Sequence, residues 1–80
     1  MNTTKNQLIG HIVHLDDSNE FLVEFNQEHD AIGMVWHPRP EMAKVFKNRK
    51  LAKSFIRDNK PQAVCCELYD LGDRYAVNLV

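Results

Sequence analysis

The residues best able to do chemistry in this chain sit in a few short stretches. "GHIVHL" carries His11 and His14 as an H-x-x-H pair. On a helix, that spacing would present both imidazoles to one metal ion. On a strand, residues three apart point to opposite faces and cannot share one. The surrounding residues are β-branched and apolar, so the strand reading applies. His29, Asp30 and His37 flank the segment 31–36 and could meet at one end of a sheet as a surface metal site. Their spacing matches no ligand pattern. Cys65 and Cys66 are adjacent. Neighbours in a strand diverge, so a disulfide between them is not expected. A thiol nucleophile would also need a histidine base and an oxyanion site, and neither is indicated. The expectation is two buried free thiols. "YDLGDRY" (69–75) holds two aspartates and an arginine, but turn geometry accounts for Asp-Leu-Gly-Asp. Last is "WHPRP" (36–40), with the only tryptophan and two of the three prolines. No catalytic partner for His37 is indicated. No dinucleotide-binding glycine pattern, phosphate loop, nucleophile elbow or paired-carboxylate signature occurs. The chain therefore reads as non-enzymatic, with no catalytic residue, no metal ligand and no cofactor assigned.

These residues depend on the elements that hold them. "LIGHIVHL" (8–15) reads as a strand, "DDSN" (16–19) as turn chemistry, and "EFLVEF" (20–25) as a second strand. Alternation in the second puts Phe21, Val23 and Phe25 on one face and Leu22 and Glu24 on the other. "AIGMVW" (31–36) is a third strand, with Ile32, Met34 and Trp36 on one face. "MAKVF" (42–46) reads as a short strand, with a separate helical turn as the alternative. The four polar residues "KNRK" (47–50) interrupt any longer helix. A helix over 49–59 fits instead. Asn48 is a good N-cap, Leu51, Ala52, Phe55 and Ile56 form one apolar stripe, and Pro61 stops the chain from continuing. "QAVCCELY" (62–69) and "RYAVNLV" (74–80) form a hairpin around "DLGD", with Tyr75, Val77 and Leu79 on one face.

The fold class that follows is α+β. A single antiparallel sheet, a meander plus a C-terminal hairpin, carries one amphipathic helix packed on it. The whole chain, residues 1–80, forms one small domain with a limited core. A helix of 11 residues spans only about 16 Å and covers part of one sheet face. Yet both faces are apolar: Leu8 and Ile12 against Ile9, Val13 and Leu15; Val64, Cys66 and Leu68 against Ala63, Cys65 and Tyr69. A curled sheet, a homodimer or a bound partner protein would each cover the second face.

With 44% hydrophobic and 26% charged residues, the composition is that of an ordinary globular protein. The first ten residues lack the apolar run of a secretory leader. No stretch approaches the roughly 18 apolar residues of a membrane helix. A cytoplasmic protein with no membrane contact is expected.

The net charge of −1 conceals segregation. From Asp16 to Asp30 there are six acidic residues and no lysine or arginine. From Lys44 to Lys60 there are seven basic residues against Asp58 alone. Arg49, Lys53, Arg57 and Lys60 recur at close to four-residue spacing opposite the apolar stripe of the helix. Such a face suits an acidic partner, either a protein or a phosphate backbone. Protein ranks first, because no aromatics are interleaved with the basic residues as nucleic-acid modules require. The acidic turn residues Asp16, Asp17 and Glu20 also repel DNA. They could occupy a basic surface on a target, or meet the basic helix of a second copy. Pro38 and Pro40 keep the chain from extending the sheet. The stiff proline-flanked segment presents Trp36, His37 and Arg39 to a partner, although Trp36 serves first as a core staple.

"VFKNRKLAKSFIRDN" followed by "AVCCELYDLGDRYAVNLV" is similar in layout to the helix-then-hairpin halves of small phage-encoded inhibitors of host defence, of the anti-CRISPR and anti-restriction type. The resemblance covers roughly the second half of the chain. These proteins share no diagnostic motif, so no functional residue is carried over. Their mode of action, stoichiometric binding without catalysis, is what the resemblance implies. The expected function is thus a small protein-binding module that blocks a larger cytoplasmic host-defence complex, within the host cell. The contact residues expected are Trp36, His37, Arg39, Arg49, Lys53, Arg57, Asp16, Asp17 and Glu20. The alternative is a nucleic-acid-associated regulator that uses the basic helix 49–59.

Overall fold

The computed structural model describes residues 7–28 and 31–80. In chain order the elements are β1 (Gln7–Leu15), β2 (Glu20–Glu28), β3 (Ala31–His37), α1 (Arg49–Asn59), β4 (Val64–Asp70) and β5 (Tyr75–Leu79). The five strands form one open antiparallel sheet in the order β3-β2-β1-β4-β5. A single helix packs against one face, so the architecture is a small α+β fold. Among the described residues, no helix is long and apolar enough to cross a membrane.

The helix begins and ends for local reasons. Asn48 has extended backbone (φ −146°), and its side-chain oxygen accepts the Leu51 N–H at 2.9 Å. That satisfies one of the N–H groups a helix start leaves without partners. At the other end, the Lys60 N–H donates to the Ile56 carbonyl and the Asn59 amide donates to the Phe55 carbonyl. Pro61 then prevents another turn. Ala52 and Phe55 are buried and Ile56 partly so, as the apolar stripe requires; Leu51, at the edge of the stripe, stays half exposed.

Under the helix, Val13, Leu22, Ala63 and Cys65 join Ala52 and Phe55 in a buried cluster. Phe25 meets Phe55 edge-on at 4.8 Å between ring centroids, and Phe46 lies at 5.8 Å. Met34 and Trp36 pack against the same cluster from β3. Full burial of an aromatic such as Phe55 contributes about 1.5–3 kcal/mol relative to exposure.

A second cluster lies on the opposite face, where Ile12, Phe21, Cys66 and Leu68 are buried and Ala43 and Val64 pack against them. Part of its cover is the chain between β3 and α1. Pro40–Met42 form a 3-10 turn with Pro40 in its first turn. The Lys44 N–H then donates to the Leu22 carbonyl of β2 at 2.7 Å, and Phe46 exchanges both backbone hydrogen bonds with His11 of β1. β1 and β2 pair only at His14–Phe21 and Leu15–Glu20. Beyond those pairs the strands part, and residues 44–46 take up the backbone groups left between them. Gly10 makes this approach feasible. A Cβ there would run into the Val45 side chain and lie 2.9 Å from the Phe46 carbonyl oxygen.

Two sequence expectations are corrected. "MAKVF" is not a strand: its first residue closes the 3-10 turn, and only Phe46 forms a bridge. The simple alternation in β2 also fails. The register shifts between Leu22 and Glu24, so Val23 is an extra residue. Such a bulge reverses which face later residues occupy. Leu22 and Phe25 therefore share the helix side, while Phe21 belongs to the opposite cluster. For β3, Met34 and Trp36 do share a core-facing side; the side chain of Ile32, and His29 and Asp30 altogether, lie outside the described residues.

Candidate functional site

The histidines are separated as strand geometry requires. His11 lies opposite Glu67 of β4, while His14 lies against Phe21 on the other face, 4.6 Å between ring centroids. The Glu67 carboxylate accepts the Tyr69 hydroxyl at 3.0 Å. Nδ1 of His11 is buried with no hydrogen-bond partner among the described residues. His14 contacts Asp16 through Nδ1 (3.1 Å) and Asn19 through Nε2 (3.0 Å). These contacts tie the β1–β2 turn to the strand. Asn19 adopts a left-handed conformation (φ 55°), which asparagine tolerates. Among the described residues, no three of His, Cys, Asp and Glu are grouped to hold a metal ion.

Both cysteines are free and buried, Cys65 under the helix and Cys66 on the opposite face. Burial pushes the Cys66 thiol up to about 11, with help from Cys65 and Asp16. Burial also raises Cys65, although Lys53 and Arg49 pull against it. Raised values keep both thiols protonated near neutral pH, the reverse of what an activated nucleophile needs.

The segment "WHPRP" is local architecture. Trp36 is half-buried against the helix-side core. Nδ1 of His37 accepts the Arg39 backbone N–H at 3.1 Å. Arg39 donates from its guanidinium to Glu41 at 3.0 Å. A backbone hydrogen bond and the Arg39 charge hold the Glu41 carboxyl below its usual value. The pair is exposed, so it adds little to stability. Arg39 is therefore at the surface, with its charge partly answered by Glu41.

The basic residues predicted on α1 do share one flank. Arg49, Lys53 and Arg57 are exposed and one helical turn apart. Lys53 and Arg57 rim a groove of about 550 Å³ between the helix and the β4–β5 edge. Its remaining lining is apolar: Ile56, Pro61, Ala63, Val64, Cys65, Leu79 and Val80. Arg57 makes one contact, at 3.2 Å, with neighbouring Asp58. The acidic Asp16, Asp17 and Glu20 lie in the β1–β2 turn and at the start of β2. Among the described residues, every ion pair joins positions at most two apart in sequence, and none links that turn to the helix. The predicted contact residues thus fall into three separate groups: the helix flank, the 36–39 corner and the acidic turn.

The sequence indicated the neighbouring strand β5, with Tyr75, Val77 and Leu79 on one face, but none of these was among the expected contact residues. The strand forms one edge of the sheet. Tyr75, Val77 and Leu79 are all exposed, Leu79 to 70%. They lie opposite Asp70, Leu68 and Cys66; Tyr75 and Val77 face away from α1, while Leu79, the last residue of the strand, also reaches the groove beside the helix. The signal in the sequence was the absence of protection. "YAVNL" has no lysine, proline or other charge inside it, whereas edge strands usually carry one.

No protein-family model matches the chain, and no curated protein or solved structure matches it either.

Proposed function

We propose that this chain is a small non-catalytic protein-binding module that uses the α1–β5 side of the domain. The observation that carries the reading is the pairing of a basic rim, Lys53 and Arg57, with an apolar groove beside it. A phosphate backbone needs only the positive charge. A protein partner also offers apolar side chains to bury, and interface cores are built from such surface. The layout shared with phage-encoded inhibitors of host defence extends the proposal: the chain binds and blocks a larger cytoplasmic complex of that kind in the host cell.

The test has two parts. A partner retrieved with the tagged chain remains bound after nuclease treatment, and Lys53→Glu with Arg57→Glu releases it while leaving the circular dichroism spectrum unchanged. Expression of the chain restores plating of a phage that a defence complex restricts; unrestored plating against a panel of such complexes removes the inhibitor reading. The four-residue recurrence of Arg49, Lys53 and Arg57 favours one second reading, a nucleic-acid-associated regulator. That reading requires DNA or RNA retention that falls steeply with salt and disappears in the same double variant.

A further inference from the structure

We infer that β5 is a docking edge for an extended peptide segment of the partner, one that alternates carboxylate and apolar side chains. This rests on the reading of the chain as a protein-binding module. The Leu71 N–H donates to the Arg74 carbonyl and the Val80 N–H to the Cys65 carbonyl. In an antiparallel ladder, hydrogen-bonded pairs alternate with pairs that are not. Residues 74, 76, 78 and 80 therefore turn their backbone groups toward β4. Tyr75, Val77 and Leu79 turn theirs outward, with no strand beyond them among the described residues. A sixth strand would meet three consecutive free donor–acceptor sites.

The side chains set the chemistry of that strand. On the face away from α1 it would lie beside exposed Tyr75, Val77 and Leu79, which favours apolar residues. On the helix face it would lie below Lys53 and Arg57 at the rim of the groove, which favours carboxylates. Alternation of side chains along a strand meets both demands with one residue type on each face.

A second copy of this chain fits the edge poorly. A two-fold axis through Val77 uses all three outward sites. It also sets Arg74 of one copy opposite Val80 of the other. Arg74 shares the helix face with Val80, and Val80 lines the groove with Lys53 and Arg57. At each end of the joint Arg74 would meet the Lys53 and Arg57 rim, an excess of positive charge that the adjacent Asp73 and Asp58 only partly answer, with Ala76 and Asn78 the β5 side chains on that face. Like charges so placed disfavour the pairing.

The probe is a blocked eight-residue peptide alternating Glu and Val, with a Lys-Val peptide as its charge-reversed control. Titration is followed by amide NMR on the intact chain. The Glu-Val peptide shifts the amides of Tyr75, Val77 and Leu79 and slows their hydrogen exchange. Lys53→Glu with Arg57→Glu weakens it at least ten-fold. Val77→Pro abolishes it while the N–H groups of Ala76, Asn78 and Val80 stay protected, because the Val77 N–H faces outward and belongs to no ladder bond. Several results overturn the inference: no Glu-Val binding, equal binding of Lys-Val, or binding that survives Val77→Pro. A solution mass of two chains without peptide, with the same three amides protected, overturns it too by making a second copy the occupant. A partner that stays bound to both variants leaves the module reading intact and removes this site alone; the absence of any protein partner removes the module reading itself.

Discussion

The two faces of the sheet are buried by different means. On one face a regular helix lays Ala52 and Phe55 over Val13, Leu22 and Cys65. On the other, Ala43 of the irregular chain between β3 and α1 helps to cover Ile12, Phe21, Cys66 and Leu68, while Phe46 of the same chain packs on the helix side. The helix carries its own backbone hydrogen bonds, so its cover depends mainly on side-chain packing. The irregular segment borrows backbone partners from Leu22 and His11, so it works only because β1 and β2 separate and Gly10 lets it pass. The first arrangement should tolerate small backbone changes and be sensitive to loss of side-chain volume. The second should show the reverse.

The largest effect expected is on the helix side. Phe55→Ala removes the ring that meets Phe25 and Phe46, and should cost about 3–5 kcal/mol in denaturant unfolding. A cost below about 1 kcal/mol would mean that the helix is not the main cover of that face. Next is the backbone approach on the other face. Gly10→Ala forces a methyl against Val45 and the Phe46 carbonyl, and should cost about 1–3 kcal/mol. Gly33→Ala is the control, since its added methyl meets only ordinary contacts. Equal costs at the two glycines would break the contrast between the faces. Smaller is the cap. Asn48→Ala should cost about 1 kcal/mol by freeing the Leu51 N–H, read as a lowered thermal midpoint.

Both faces bury a thiol whose pKa is raised, and the larger shift is on the face away from the helix. The folded Cys66 thiol is raised to about 11 by burial. A raised pKa means the folded state holds its proton to higher pH than the unfolded one. Its contribution is complete below the unfolded value, near 9, and is lost as pH climbs through about 11. Stability should therefore fall across that window and be flat in this respect at pH 7, and Cys66→Ala should remove part of the alkaline slope. The smallest effect is at Arg39. Arg39→Ala breaks only an exposed pair with Glu41 and should change stability by less than about 0.5 kcal/mol, as judged by urea midpoints.

The elements that could be read from sequence are those built from neighbours. α1 was legible because Asn48, the four-residue stripe and Pro61 all act within one or two turns. The β4–β5 turn was legible because Gly72 sits at φ 101°, which a side chain rarely tolerates. The basic flank followed from helical period alone, and its three members do share one side. What could not be read depended on distant pairing. The bulge at Val23 follows from how β2 meets β3, and it put Phe25 on the face of Leu22, where simple alternation had placed it with Phe21. "MAKVF" gave no periodic signal because its hydrogen bonds go to His11 and Leu22, far away in sequence. The groove was hidden for the same reason: Lys53 and Arg57 reach Leu79 and Val80 only once α1 lies across β4.

By itself, then, the sequence determined the α+β class, the helix with both its ends, the hairpin turn and the segregation of charge. Each arises from residues within a few positions of one another, where propensity and period act directly. Only the tertiary structure decided that β1 pairs with β4, that residues 44–46 bridge the parted strands, and that β5 is left as an open edge beside the basic helix. Those outcomes depend on which distant backbone groups find partners, and no local pattern encodes that competition.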